Sequence, residues 1–161
     1  MGDGMNRWIT KILMAIFGLG MPVVLIGIVW ALTAPRPRHP GIQEGRLPAV
    51  PDTPNCVATQ SGNPHQRMAP IPYVGNPQEV QKQVMDVLMA MPRMEIVKNE
   101  PGYIYVVFRS WFFRFPDDVE FLFDDANKVI HFRAAARLGW SDFGVNRKRM
   151  EEIGKAFQIF I

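Results

Sequence analysis

Hydrophobic and polar positions divide the chain into three unequal stretches. From Ile12 to Leu32 it reads ILMAIFGLGMPVVLIGIVWAL, twenty-one positions without a charge. At 1.5 Å per residue this run spans about 30 Å, the thickness of a bilayer's hydrocarbon core, and it predicts one transmembrane helix. Trp8 and Trp30 bracket it where indole rings favour the two headgroup layers. Pro22, in the middle, is tolerated in a membrane helix and predicts a kink. A second stretch has almost no periodicity. Ten of the fourteen prolines fall between Pro35 and Pro77, each fixing its own φ and pushing the residue before it toward extended structure. Residues 35–52 are expected to be a semi-rigid stalk, and residues 53–73, with PNCV and IPY, an apolar strap along a domain surface.

The third stretch alternates helical and strand periods. Asn76-Pro77-Gln78-Glu79 offers an N-cap, a proline at the first helical position and an acid in the first turn. Val80, Val84, Val87, Leu88 and Met91 then recur at helical spacing, so a helix is expected over 77–91. Aromatic and β-branched runs predict strands over 94–98, 103–109, 113–123 and 128–137, with turns at Pro101-Gly102 and Asp124 to Asn127. A last helix starts at Val145 or Asn146 and buries Met150, Ile153, Phe157 and then Phe160 or Ile161. The expected fold class is α+β. Residues 1–34 form the tail and anchor, 35–52 the stalk, and 53–161 a small antiparallel four-stranded sheet with two helices on one face.

The last hairpin separates its two faces cleanly. With Phe123 opposite Lys128, Phe121 meets Ile130, Val119 meets Phe132 and Phe115 meets Ala136, an apolar face. The other face sets Glu120 against His131, Asp118 against Arg133 and Arg114 against Arg137. On this register the polar face is open to solvent. Either it carries surface ion pairs worth about 0 to 1 kcal/mol each, or Arg114, Arg133 and Arg137 form a fork for a carboxylate or phosphate, with His131 titrating near neutrality. Arg114 facing Arg137 requires an anion or an acid such as Asp142 between them.

Composition narrows the chemistry. The chain has 161 residues, 48% of them hydrophobic, and eighteen Lys plus Arg against fifteen Asp plus Glu. That suits one domain of ordinary size and excludes both a large multidomain enzyme and a wholly disordered polyelectrolyte. One cysteine, Cys56, excludes an internal disulfide, a CxxC redox pair, c-type haem attachment and a four-cysteine zinc site. Arg147-Lys148-Arg149 lacks aromatic interleaving and reads as a solvated helix start, so no nucleic acid is expected. No catalytic group is assigned. Cys56 with His65 or His131, and Asp118 with Glu120, lack the spacing of a nucleophile pair or a paired-acid hydrolase. His131, Asp118 and Glu120 lack metal-ligand spacing, so neither a metal nor a cofactor is expected. Trp111-Phe112 at a bend and Trp140 in the last loop are expected in the core. Exposed, they would mark contact with a partner or bilayer.

Several motifs in order resemble the domain-of-unknown-function family numbered 1499. They are Pro54-Asn55-Cys56-Val57, Ile71-Pro72-Tyr73, Arg109-Ser110, Phe115-Pro116-Asp117-Asp118-Val119-Glu120-Phe121, Arg133 to Arg137 with Leu138-Gly139, and Ser141-Asp142-Phe143-Gly144-Val145-Asn146-Arg147. The resemblance runs from about Pro54 to the carboxy terminus. The family's usual R-S-A-S-R segment stands here as Arg133-Ala134-Ala135-Ala136-Arg137, with both arginines kept and both serines replaced. The resemblance implies a compact domain, often behind a signal or anchor. It assigns no catalytic residue, and it draws attention to Asp117, Asp118, Glu120, Arg133, Arg137, Asp142, Asn146 and Arg147 as a ligand site or a polar network joining hairpin to helix.

An uncleaved anchor is favoured over a secretory signal, because the apolar run exceeds the usual signal core and Leu32 occupies the position that processing after Ala34 would require to be small. Basic residues nearly balance across the run, Arg7 and Lys11 before it and Arg36, Arg38 and Arg46 after it. The short amino-terminal tail favours a periplasmic or lumenal carboxy-terminal domain on an inner or organellar membrane. The expected role is a non-enzymatic, single-pass accessory protein, a subunit or an assembly or stabilising factor, docking on a larger membrane complex. The alternative is a binding or catalytic module for an anionic small molecule or lipid headgroup.

Overall fold

The computed structural model describes residues 3–34 and 41–158. Helix α1 runs over Asp3–Thr33 with Pro22 inside it. Within it Arg7–Thr33 is long and apolar enough to cross a membrane, with a mean hydropathy of 2.6. Its large side chains, from Ile9 to Leu32, are exposed on almost every face. The exception is a strip of small residues at its carboxy-terminal end, where Gly27 and Ala31 are buried one helical turn apart.

The rest is an α+β domain. Strands β1 (Cys56–Ala58), β2 (Ile71–Pro72), β3 (Met94–Glu100), β4 (Tyr103–Arg109), β5 (Pro116–Asp124) and β6 (Val129–Ala136) accompany helices α2 (Pro77–Met89) and α3 (Val145–Gln158). The sheet has six strands in the order β1-β6-β5-β4-β3, with β2 also pairing β6, and every pairing is antiparallel. Four of these strands are the ones expected. The other two come from the strap, whose PNCV and IPY segments extend the sheet along β6, Cys56 opposite Ala135 and Ile71 opposite Ile130. Helix α2 starts where Asn76 accepts the Gln78 N–H at 2.8 Å, with Pro77 in its first turn. Of the residues expected in the stripe of α3, Met150, Ile153 and Phe157 are buried, whereas Phe160 and Ile161 lie outside the described residues.

Both α2 and α3 cover one face of the sheet. Val84 and Leu88 of α2 and Met150, Ile153 and Phe157 of α3 pack on Ile104, Val106, Val119, Phe121, Ile130 and Phe132. The second face is not open, which corrects the expectation. Residues 41–50 lie against it, with Leu47 buried beside Tyr103, Tyr105 and Val107, the Leu47 N–H donating to Gln60 Oε1 at 3.0 Å and the Gly41 N–H to Glu120 Oε2 at 2.9 Å. This part of the expected stalk is therefore packed on the sheet, while residues 35–40 lie outside the described ones.

The register of the last hairpin is also corrected. Phe123 pairs with Ile130 and Asp124 with Val129, so the four-residue loop is Asp125 to Lys128, one residue later than expected. The cause is local. The Asp124 carboxylate accepts the Asn127 N–H at 3.1 Å, which closes the loop after Asp124, and Lys128 takes the left-handed conformation at φ 53° before the chain re-enters the sheet. Each residue of β5 thus meets a β6 residue two positions further along, which keeps both faces as expected and changes every partner. At the far edge β3 is almost fully exposed, and its ladder with β4 breaks between Ile96 and Lys98, leaving Val97 as a bulge.

Candidate functional site

The charged side chains of the hairpin form a buried network on the second face. Glu120 and Asp118 of β5 are 0% and 3% exposed and Arg133 of β6 is 5% exposed. Arg133 lies directly opposite Glu120 and donates from Nη1 to Oε1 at 2.6 Å. Tyr103 donates its hydroxyl to the other Glu120 oxygen, which also takes the Gly41 N–H. Four residues on, Arg137 reaches diagonally to Asp118 and grips it with two N–H groups, Nε to Oδ2 at 2.9 Å and Nη2 to Oδ1 at 2.7 Å. Tyr105 donates to the same Asp118 oxygen at 2.6 Å. The D-x-E spacing on β5 thus meets the R-x₃-R spacing on β6, and the tyrosines of β4 complete each carboxylate's set. Arg133 Nε is buried without an acceptor among the described residues.

A second network ties the helix-facing side of the sheet to α3. Asp117 receives Arg149 Nη2 at 2.9 Å, and the Arg149 guanidinium also stacks 4.7 Å over the Phe108 ring. Burial pushes the Asp117 carboxyl above its ordinary value, and Arg149 opposes part of that shift. Asp142 caps α3, taking the Asn146 N–H at 2.7 Å and the Gly144 N–H at 3.0 Å. Asn146 then donates to the Asn55 carbonyl at 3.0 Å, and Asn55 in turn to the Gly139 carbonyl at 2.7 Å. Arg147 reaches the His65 carbonyl at 2.6 Å.

Of the two readings of this face, surface ion pairs or an anion fork, the fork is not assembled among the described residues, and the ion pairs that form there are buried. Arg133 and Arg137 are each engaged by a carboxylate, His131 accepts or donates at Nδ1 to Thr59 at 3.1 Å and faces Asp124 across 3.7 Å at Nε2. Arg114 does not stand on β5 opposite Arg137. It lies in the β4–β5 loop at φ 61°, without an ion-pair partner among the described residues, on a cleft of about 270 Å³ that Arg109 and Arg137 also line. Trp111, Phe112 and Trp140, read either as core or as exposed partner contacts, are 76%, 54% and 71% exposed, and Phe143 is 97% exposed.

Nothing in this geometry prepares a nucleophile. Cys56 is buried, its thiol donates to Asn55 Oδ1 at 3.3 Å and lies 3.5 Å from the Thr53 hydroxyl, and burial raises its pKa. No histidine is among its partners. Among the described residues no three His, Cys, Asp or Glu side chains gather as metal ligands do.

Tyr103, Tyr105, Asn55 and Arg149 escaped the reading of the sequence. The tyrosines carried a signal, because they alternate with Ile104 and Val106. Pairing of β4 with β5 across the 110–115 loop sets Tyr103 against Leu122 and Tyr105 against Glu120, which puts them on the acidic face. Asn55 and Arg149 join through the packing of β1 and α3, which no local period encodes.

Comparison with curated proteins and with solved structures gives no match. A family model described as a protein of unknown function, DUF1499, matches residues 46–157. It takes in Leu47, all six strands, both helices of the domain and every member of the two networks except Gly41. The chain belongs to the DUF1499 family.

Proposed function

We propose that this protein is a non-enzymatic, single-pass accessory protein of an inner or organellar membrane, whose periplasmic or lumenal domain docks on a larger membrane protein complex as a subunit or stabilising factor. The carrying observation is how the side chains are distributed. Asp117, Asp118, Glu120, Arg133, Arg137 and Arg149 spend their charge on one another, while four large aromatic side chains stand in solvent. An enzyme spends burial on an accessible group with a shifted proton affinity, whereas a docking protein leaves aromatic anchors exposed.

Those aromatics share one end of the domain. Strands β4 and β6 run toward it and β5 runs from it, so the β4–β5 loop with Trp111 and Phe112 and the β6–α3 loop with Trp140 and Phe143 emerge together. An apolar helix with nearly all its side chains exposed needs an apolar medium, which supports α1 as the anchor. Native electrophoresis of mildly solubilised membranes, with mass spectrometry of co-migrating proteins, tests the reading. Stoichiometric co-migration with a larger assembly is expected. Migration as a free monomer, from membranes whose complexes are intact, overturns it.

A further inference from the structure

The four aromatic side chains are not equivalent, because one of the two loops touches α1. Phe113 packs its ring on Gly27 so closely that a Cβ added there would lie 2.4 Å from Phe113 Cδ1, so the contact exists only because position 27 has no side chain. The rings form a row. Trp111 and Phe112 have centroids 6.1 Å apart, Phe112 meets Phe113 edge-on at 4.7 Å, and Phe113 stacks on Phe115 at 5.2 Å. Gly27 lies six residues before the end of α1 at Thr33, which is about 9 Å along the axis. The 27 residues of Arg7–Thr33 measure about 40 Å, close to a bilayer with its headgroups. Nine ångströms in from that end is about 4 Å below the edge of the hydrocarbon, so the row of rings leading out from Phe113 begins just beneath the headgroup layer, where indole and phenyl rings partition.

Charge on the same side agrees with that depth. The cleft between loop and helix has Ile28, Ala31 and Leu32 of α1 on one wall and Arg109, Arg114 and Arg137 on the other. Arg109 is met by Glu95 and Arg137 by Asp118. Arg114 is met by no acid among the described residues, and its left-handed backbone is held by a loop closed between Ser110 and Phe115, which exchange hydrogen bonds at 2.9 Å. Apolar wall, unneutralised guanidinium and interfacial rings together match a phosphate carried on acyl chains.

We propose that the β4–β5 loop is a second bilayer contact, with Trp111 and Phe112 seated in the interface and Arg114 holding the phosphate of an anionic lipid against the end of α1. This rests on α1 being the anchor and leaves Trp140 and Phe143 for the protein partner. The test uses the full chain in phosphatidylcholine vesicles, with or without phosphatidylglycerol, carrying a shallow nitroxide-labelled lipid. One variant keeps Trp111 as its sole tryptophan and another keeps Trp30, the rest being replaced by Phe. Both fluorophores should be quenched by the lipid label. Phosphatidylglycerol should deepen Trp111 quenching, and Arg114→Gln should remove that gain, lowering the ratio of seated to unseated loop about fivefold. If Trp30 is quenched and Trp111 is instead reached by aqueous iodide, the loop faces water or a protein and the proposal is overturned while the anchor stands. If Trp30 itself escapes the label, the anchor reading falls and the seat falls with it. Trp111 quenching that ignores both phosphatidylglycerol and Arg114→Gln removes the lipid phosphate.

Discussion

Exchanging one carboxylate oxygen for an amide at position 120 leaves the Arg133 guanidinium buried and positively charged with no counter-charge. Removing one partner of a buried pair costs about 3–5 kcal/mol, more than the intact pair contributes over apolar residues of the same volume. Glu120→Gln is therefore expected to lower the unfolding free energy measured by urea titration by that amount. Glu120→Leu combined with Arg133→Met should recover most of it. Recovery identifies the pair as structural, whereas a double variant as unstable as the single one contradicts that assignment. Tyr103 and Tyr105 in this network, together with Tyr73 at the β5–β6 loop, give the domain a pH signature. Burial and a carboxylate partner raise the pKa of all three, Tyr73 beside Asp125 being pushed up to about 12 and Tyr103 and Tyr105 higher still. In the unfolded chain they titrate near 10. The folded state holds these protons more tightly, so their contribution is complete below about pH 10 and is lost as pH rises through the folded values. The melting temperature should fall from pH 10 upward, less steeply in Tyr103→Phe and Tyr105→Phe. Equal slopes in wild type and variants would count against buried, neutral phenols. Much of this was legible in the sequence, because a two-position slip along the partner strand preserves the parity of a strand face. The pairs themselves were not, since they depend on which residue closes the turn, and Asp124 decides that by capping Asn127.

At the scale of elements, the sheet is completed by segments too short to show a period. Strand β1 has three residues and β2 has two, so alternation cannot identify them, and only PNCV and IPY betrayed apolar contact. Helices α2 and α3 and strands β3 to β6 were legible because each repeats its period at least twice and ends at a recognisable cap or turn. The proline-rich stretch misled for a related reason. Proline content reports a stiff, extended backbone and does not say whether that backbone stands free or lies on a sheet. Here Gly41 and Leu47 hold it down. A fragment starting at Gly41 should therefore unfold cooperatively, while one starting at Thr53 loses the buried Leu47 and the Gly41 bond to Glu120. The shorter fragment is expected to be less stable by on the order of 3 kcal/mol in denaturant titration. Equal midpoints would mean that residues 41–52 contribute nothing to the fold.

At the scale of the whole molecule, an apolar helix, a sheet closed on both faces and one end rich in aromatic rings make a particle with a defined orientation. The charges of β5 and β6 are committed inward, and the large exposed aromatic rings of the domain lie at the end nearest α1. The opposite concern is the long side of the sheet. Copies held in one membrane plane would meet edge-on far more often than molecules tumbling in three dimensions, and β3 offers its unpaired amides along that direction. Val97 interrupts the ladder there, and Lys98 and Glu100, an ion pair at 3.1 Å, place charge along the same edge. In a laterally crowded membrane the bulge would work as insulation, keeping neighbouring copies from zipping edge to edge into ribbons.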